Sequence, residues 1–298
     1  MMAERCMIQL RGRRKIKIRV FDIVNLLLML VLVLTFLLPF WMILTASLSK
    51  NSQLQIYGTS LWFRGLSIEG FRFLFQSSEV FLNSLWITFV TSLAAAVLEM
   101  VVCMLAAYAL SKETLVGRKF FNALLMLTMF FSGGVIPTYL VVRGIGLTDT
   151  IFALILPGLG AAYHILLIRS YYASIPKSLE EAAYLDGAGE AKTFFKVYLP
   201  LSTAIVITVG MMQFVARWNN WMDSLLYIGP MSQKLWTSQY VLRQILANAA
   251  FLSSGGSSAP LIAARNAGIV IVILPLIIAS PILQKFFISG MTVGAVKG

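Results

Sequence analysis

The stretch SLEEAAYLDGAGEAKTFFKVYLPLS, Ser178 to Ser202, is a charged, glycine-containing segment in a chain that is otherwise strongly apolar. Of the 298 residues, 59% are hydrophobic and only 12% are charged, and the mean hydropathy is +0.84. A soluble globule of this length would need more polar residues to cover its surface. The sequence therefore predicts an all-α integral membrane protein, in which this stretch is a polar loop between two helices.

Six apolar runs are long enough to be transmembrane helices, since about twenty residues cross the roughly 30 Å hydrocarbon layer. They cover residues 23–46, 81–110, 120–142, 151–172, 203–229 and 267–289. If the N-terminus is cytoplasmic, the inner segments carry about twice as many Lys and Arg residues as the outer segments, as the positive-inside rule requires. Topology thus accounts for the net charge of +12 better than nucleic-acid binding does.

This topology predicts the organisation of the whole chain and places both termini in the cytoplasm. The segments before the core are a cytoplasmic basic tail at 1–22, the first transmembrane helix at 23–46 and an extracytoplasmic loop at 47–80. They are followed by a transmembrane core at 81–289, a cytoplasmic loop within that core at 173–202, and a cytoplasmic tail at 290–298. The opening stretch therefore faces the cytoplasm.

Within the stretch, the local pattern predicts two short helices joined by a bend. Ser178 with Glu181 three residues later has the spacing of a capping box, and Gly187 offers a stop where the backbone takes a positive φ. A second helix is expected to restart after Gly189, and Pro200 is expected in the first turn of the next membrane span.

The sequence of the stretch resembles the EAA motif of permease subunits of ATP-binding-cassette (ABC) importers. The matching positions are Glu181, Ala182, Ala183, Gly187, Val197, Leu199 and Pro200. The segment RWNNWMDSLLYI from Arg217 and the C-terminal FFISGMTVGAVKG are similar to segments of carbohydrate permeases of the maltose-transporter type. The chain looks closest to the polysaccharide and alginate-oligosaccharide branch of that family.

This resemblance implies a type I ABC importer permease fold and the import of an oligo- or polysaccharide, with an acidic, alginate-like chain as the narrower expectation. It implies that ATPase subunits grip the first short helix. The residues assigned to this coupling are Glu180, Glu181, Ala182, Ala183, Asp186, Gly187 and Ala188. The expected location is the bacterial cytoplasmic (inner) membrane.

The same resemblance implies that the chain is a transport subunit and not an enzyme. It contains no phosphate-binding loop of the GxxxxGK[ST] type, so ATP and Mg²⁺ are expected on two partner ATPase subunits, with no cofactor in this chain. The other implied partners are a second homologous permease, an extracytoplasmic solute-binding protein and membrane lipid.

Ionisable residues inside the predicted spans are costly and indicate a specific role. Glu99 and His164 lie at similar predicted depths, so we expect them to form a structural pair. For Arg217, Asp223 is expected on a different helix face, which leaves two interpretations open. In the first, an interfacial aromatic belt surrounds a snorkelling arginine. In the second, polar and aromatic side chains line a sugar pathway that favours carboxylates. The residues assigned to this pathway are Arg217, Trp218, Asn219 and Trp221.

Two other classes of function are weighed against the permease. A proton-coupled secondary transporter could use Glu99 and His164, but it gives no reason for the cytoplasmic EAA segment. An intramembrane enzyme lacks a nucleophile-elbow serine and a clustered Cys/His spacing, and a single histidine gives no basis for a metal site.

Overall fold

The computed structural model describes residues 20–77, 79–254 and 261–295. Residues 1–19 and 296–298 lie outside these ranges, and with them most of the predicted tail at 1–22 and the last three residues of the predicted tail at 290–298. Fifteen α-helices form in the described residues: α1 (Val20–Ser47), α2 (Asn51–Tyr57), α3 (Glu69–Ser77), α4 (Glu79–Ser111), α5 (Arg118–Phe130), α6 (Val135–Gly144), α7 (Phe152–Ile155), α8 (Ala162–Ser174), α9 (Lys177–Leu185), α10 (Glu190–Thr193), α11 (Leu199–Leu201), α12 (Thr203–Trp218), α13 (Met222–Tyr227), α14 (Ser238–Ser254) and α15 (Leu261–Ala295).

Helices are the dominant secondary structure of the described residues, which contain no β-strand, and the all-α prediction is confirmed. Three helices are each long and apolar enough to cross a membrane, namely α1, α4 and the Ile262–Ala279 part of α15. They correspond to the first, second and sixth predicted spans. Two bent helix pairs raise the number of candidate spans in the described residues to five.

The third, fourth and fifth predicted spans are not single straight helices. In the third, α5 and α6 meet at 116° across a bend that contains Gly134, whose φ is 87°. In the fourth, α7 and α8 are separated by a non-helical segment, which we call the 156–161 turn. Its Pro157 has no N–H for a helix bond, and its Gly158 and Gly160 both have positive φ.

The predicted fifth span, 203–229, is wrong as a continuous helix. α12 ends at Trp218, and the chain turns at Asn219 and Asn220 before α13 starts. At its other end, α12 is bent by 78° from the helical segment 190–201. Hydropathy alone extends the span past these bends because the residues on both sides are apolar.

α4 is the centre of the packing, with α8 and α12 as its main neighbours. Its buried positions are mostly small, including Ser84, Ala95 and Ala107, which allows close helix contacts in a membrane. On α12, Gly210 lies against Met100 of α4, and a Cβ at this glycine would collide with the methionine sulfur. The small-residue pattern of α4 therefore serves helix packing.

The loop segments group into two sets at opposite ends of the long helices. Segments 111–119 and 173–202, both predicted to be cytoplasmic, contact each other through the Lys177–Glu113 ion pair. Segment 143–150, predicted to be outside, contacts the end of α13, where Gly229 N donates to Asp149 Oδ1 at 2.7 Å. The segment 230–266, predicted as an outer loop, contains helix α14, whose residues 240–242 are buried.

Candidate functional site

The helix of the EAA-like segment is α9, and its start differs from the predicted capping box. Pro176 occupies the N-cap position and no side-chain cap is present, so Ser178 lies within the first turn. The proline sets φ to −58° and positions the chain for the helix. The predicted stop at Gly187 is confirmed: its φ is 72°, its N–H donates to Tyr184 O, and the N–H of Ala188 donates to Ala183 O.

A second helical segment restarts after Gly189, as predicted, and continues to Leu201. It consists of α10, a π-helical turn at Phe194–Tyr198 and α11. Pro200 does lie in the first turn of a helix, but that helix is the short α11 and not α12. Pro200 lies in α11, and the bend at Ser202 separates it from α12.

Lys112, immediately after the end of α4, connects that helix to α9. Its Nζ lies 2.5 Å from Glu180 Oε1 and donates to Tyr184 Oη at 3.1 Å. The second oxygen of Glu180 accepts from the hydroxyl of Tyr198 at 2.5 Å. The Lys112 and Glu180 side chains are only 14% and 19% exposed, so the charges attract each other with less screening than an ordinary surface pair.

Glu190 completes this cluster from the second helical segment. It lies 3.1 Å from Lys112 Nζ and accepts hydrogen bonds at 2.6 Å from the hydroxyls of both Tyr108 and Tyr184. Lys112 Nζ also lies 4.4 Å from the centroid of the Tyr108 ring, in a cation–π arrangement. We call these residues the Lys112 cluster: Tyr108, Lys112, Glu180, Tyr184, Glu190 and Tyr198.

The cluster keeps its charges at neutral pH. Burial alone would raise the pKa of Glu180, but its hydrogen bonds with Lys112 and Tyr198 hold that pKa below its ordinary value. Burial alone would lower the pKa of Lys112, but its hydrogen bonds, first to Glu180, hold that pKa above its ordinary value. Each shift extends the pH range over which that partner is charged, so the pair stays ionised throughout the neutral range.

The opposite side of α9 is open. Glu181, Ala182 and Asp186 are exposed, and Leu185 is 89% exposed. Ala183 and Ala188 are half-buried, and Gly187 is exposed. The two adjacent glutamates thus have different environments, because Glu180 is bound to the chain itself whereas Glu181 is exposed on the open side. An exposed leucine beside an alanine-rich surface is typical of a helix that packs against another protein.

Glu99 and His164 form the predicted pair, and their contacts show what the carboxylate does. Glu99 is fully buried, and its Oε1 lies 2.7 Å from His164 Nδ1. The backbone N–H groups of Gly160 and Ala161 donate to its two oxygens at 2.7 and 3.2 Å. These donors lie at the N-terminus of α8, where a carboxylate offsets unsatisfied N–H groups and the helix dipole.

Cys103 also lies beside this pair, and its thiol donates to Glu99 Oε1 at 3.3 Å. The possible ligand atoms of Glu99, Cys103 and His164 all lie within 4.8 Å of one another, a proximity that the sequence spacing did not predict. Hydrogen bonds already occupy both oxygens of Glu99. The arrangement is therefore accounted for as the cap of α8.

Arg217 does not have the environment expected from the sequence. Its Nη1 lies 2.7 Å from Asp223 Oδ2, and its Nη2 donates to Pro157 O. The prediction that Asp223 lies on a different helix face is wrong, because the break at Asn219 and Asn220 turns the chain back. Arg217 therefore has a counter-charge within the chain and does not need a sugar carboxylate to balance its own charge.

The other three residues of the predicted sugar pathway are separated by the same break. Trp218 is buried, and its Nε1 donates to Val272 O of α15 at 3.1 Å. Asn219 is exposed and accepts from Gln239 Nε2 at 3.2 Å. Trp221 is half-buried, and Arg243 Cζ of α14 lies 3.8 Å from its ring centroid. A cation and an indole are thus together at an accessible surface, but the cation is not Arg217.

Several residues of these sites escaped the sequence reasoning. In the sequence, Lys112 and Arg243 are indistinguishable from ordinary surface cations. Only the fold places Lys112 beside Glu180 and Arg243 beside Trp221.

Comparisons with known proteins show which proteins this chain resembles as a whole. No protein-family model matches the chain. A relative from Bacillus subtilis (strain 168), the polygalacturonan/rhamnogalacturonan transport system permease protein YtcP, is 34% identical over 95% of this chain and 100% of its own length. Protein LplC of the same organism is 32% identical over 94% of this chain and 96% of its own.

Among solved structures, the chain is similar to one from a bacterial ABC transporter involved in the import of the acidic polysaccharide alginate. The TM-score is 0.81 and the identity is 28%, over 90% of this chain and 97% of that one. A second, from a bacterial alginate ABC transporter in complex with alginate pentasaccharide-bound periplasmic protein, shares the fold at a TM-score of 0.57 and 18% identity.

Proposed function

The chain belongs to the sugar-transport permeases of ABC systems, and on this premise we propose that it forms one half of the translocation pathway of an ATP-driven, binding-protein-dependent importer of oligo- or polysaccharide. It works with a second, homologous permease, two ATPase subunits and an extracytoplasmic solute-binding protein. The ATPase subunits bind ATP and Mg²⁺ and carry out the hydrolysis. The chain crosses the inner membrane six times with both termini in the cytoplasm.

The observation that carries the proposal is the two-sided character of α9. Its open side presents Glu181, Ala182 and Leu185 to a partner, and its other side is tied to the end of α4 through Glu180 and Lys112. A displacement of α9 by a docked ATPase subunit is therefore passed directly to α4. Since α4 packs against both α8 and α12, it passes the displacement into the membrane.

The coupling role predicts that Gly187→Val slows transport several-fold while the protein still inserts into the membrane. Gly187 has a φ of 72°, and a Cβ there would meet nothing within 4 Å. The cost is therefore conformational, about 1–2 kcal/mol for a side chain in left-handed backbone, and it falls on the end of α9. Transport and ATP hydrolysis measured on the reconstituted complex check this result.

Gly189 supplies a matched control two residues away. Its φ is −81°, and a Cβ at this position also meets nothing within 4 Å. Gly189→Val should therefore transport at close to the normal rate. Normal transport by Gly187→Val, or equal loss in both variants, would contradict a role for the Gly187 conformation in coupling.

We further propose that the imported saccharide is acidic and that Arg243 contacts it. The guanidinium stacks on Trp221, and Asn219 and Gln239 place two amides nearby. An indole face suits the apolar side of a sugar ring, and a guanidinium can pair with a carboxylate in two parallel hydrogen bonds. This surface takes over the role that sequence reasoning gave to Arg217.

Arg243→Gln is expected to slow transport of an acidic oligosaccharide by about tenfold, because a charge-assisted hydrogen bond contributes about 1.5–3 kcal/mol. Transport of a neutral oligosaccharide of equal length should change little. Competition between the two labelled sugars in proteoliposomes measures the difference. Arg265→Gln, at an exposed position on α15, is the control, and equal slowing of both sugars by Arg243→Gln would argue against carboxylate recognition.

The proton-coupled alternative has less support. It requires Glu99 to exchange a proton with the transport pathway, whereas the contacts of Glu99 are those of a buried helix cap.

A further inference from the structure

A second group of cations lies near the Lys112 cluster but takes no part in it. It lines a cavity of about 570 Å³ between the end of α4, the start of α5 and the last turns of α8. The cationic residues of this basic pocket are Arg118, Lys119 and Arg169. None of these three residues belongs to the Lys112 cluster or to the surface formed by Arg243 and Trp221.

The two arginines are held in place through one nitrogen each. The Nε atoms of Arg118 and Arg169 both donate to Leu110 O, each at 3.1 Å. Within the described part of the chain, their terminal guanidinium nitrogens have no hydrogen-bond or ion-pair partner. Two half-buried cations thus share one acceptor, Leu110 O, and keep their terminal donors unused, although neighbouring like charges repel each other.

The start of α5 adds to the positive potential of this pocket. Gly117 is the N-cap residue with φ 77°, and it has no side chain to satisfy the first N–H groups of the helix. One carboxylate lines the pocket, that of Glu113, but Lys177 already pairs with it at 2.8 Å. The net character of the pocket is therefore that of an anion site.

The surface next to the pocket is apolar and unpartnered in the described chain. Phe120, Leu124 and Leu127 of α5 follow one another at helical spacing, and all are exposed. In a membrane protein such a surface lies against acyl chains, while basic residues at its end lie at the level of the headgroups.

We propose that the basic pocket binds the phosphate of an anionic phospholipid, with Arg118 and Arg169 as its main ligands and the acyl chains along α5. The bound lipid would neutralise the repulsion between the two guanidinium groups at the junction of α4, α5 and α8. The proposal rests on membrane insertion and not on the substrate or the direction of transport.

The test measures which lipids the complex retains. The complex is incorporated into bilayers of equal parts phosphatidylcholine and phosphatidylglycerol, re-extracted in mild detergent, and its bound lipids are quantified by mass spectrometry. We expect retained phosphatidylglycerol to exceed phosphatidylcholine. Loss of each arginine should weaken this preference by roughly fivefold, so Arg118→Gln/Arg169→Gln should nearly abolish it.

Arg143→Gln is the matched control, because Arg143 is exposed at the other end of the helices and should keep the preference unchanged. If the double variant folds poorly, Arg118→Gln alone carries the test, since Arg169 still binds Leu110 O. Equal retention of the two lipids by the normal protein, or an unchanged preference in the arginine variants, would overturn the proposal. Displacement of phosphatidylglycerol by millimolar inorganic phosphate would overturn the lipid assignment in favour of a free-phosphate site.

Discussion

Lys112→Met is expected to lower transport by about tenfold or more while ATP hydrolysis continues. The substitution leaves the half-buried Glu180 without its cation and Glu190 without one of its partners, and hydrogen bonds to charged groups contribute about 1.5–3 kcal/mol each. α9 then loses its fixed position relative to α4. The ratio of sugar transported to ATP hydrolysed, measured in proteoliposomes with the solute-binding protein, reports this loss.

Lys177→Met is the control for this prediction. Lys177 lies three residues before Glu180 and forms an ion pair with Glu113, the neighbour of Lys112, at 2.8 Å. The side chains of Lys177 and Glu113 are, however, 72% and 67% exposed. Exposed pairs of this kind contribute little. Lys112→Arg should restore part of the coupling, because the charge remains. Normal coupling in Lys112→Met, or the same loss in Lys177→Met, would show that the cluster does not transmit the movement of α9.

Glu99→Ala is expected to destabilise the protein by about 3–5 kcal/mol, because it removes a buried acceptor from several groups at once, and each buried donor left unsatisfied costs about 1–3 kcal/mol. The N–H groups of Gly160 and Ala161 and the ring of the buried His164 would lose their acceptor. Thermal unfolding in detergent and the yield of folded protein measure the effect. The unfolding temperature of Glu99→Gln should lie between those of the normal protein and Glu99→Ala, since glutamine keeps one carbonyl oxygen as an acceptor.

The control is Glu79→Ala, at the exposed start of the same helix. It should leave the unfolding temperature nearly unchanged. A proton-coupling or substrate-binding role for Glu99 predicts the reverse pattern for Glu99→Gln, with normal unfolding temperature and abolished transport. That result would refute the assignment of Glu99 as a structural cap.

Local features of this chain were predictable because their causes lie within a few residues. The stop at Gly187 follows from the freedom of glycine to adopt positive φ, and the small residues of α4 repeat at helical spacing. The capping box at Ser178 failed for an equally local reason, because Pro176 takes the N-cap position two residues earlier. The first, second and sixth spans were found because a long apolar run is sufficient for a membrane helix.

The sites themselves depend on contacts that the sequence does not display. Lys112 and Glu180 are 68 positions apart, and their meeting requires α4 and α8 to pack side by side. The error at Arg217 arose because helical spacing was extended through Asn219 and Asn220, where the helix stops. Hydropathy measures how apolar a segment is, and it does not report where the backbone leaves the helix.

The 156–161 turn determines which parts of the permease can move independently. Glu99 of α4 binds its end at Gly160 and Ala161, and Arg217 of α12 binds its start at Pro157. Three helices from distant parts of the chain are thereby joined into one rigid unit around a piece of non-helical backbone. Sliding any one of these helices past the others would leave Glu99 or Arg217 without its hydrogen-bond partners in the membrane interior. We therefore expect a change of access from one side of the membrane to the other to carry α4, α8 and α12 together, and to pivot at bends outside this unit, such as the one at Gly134.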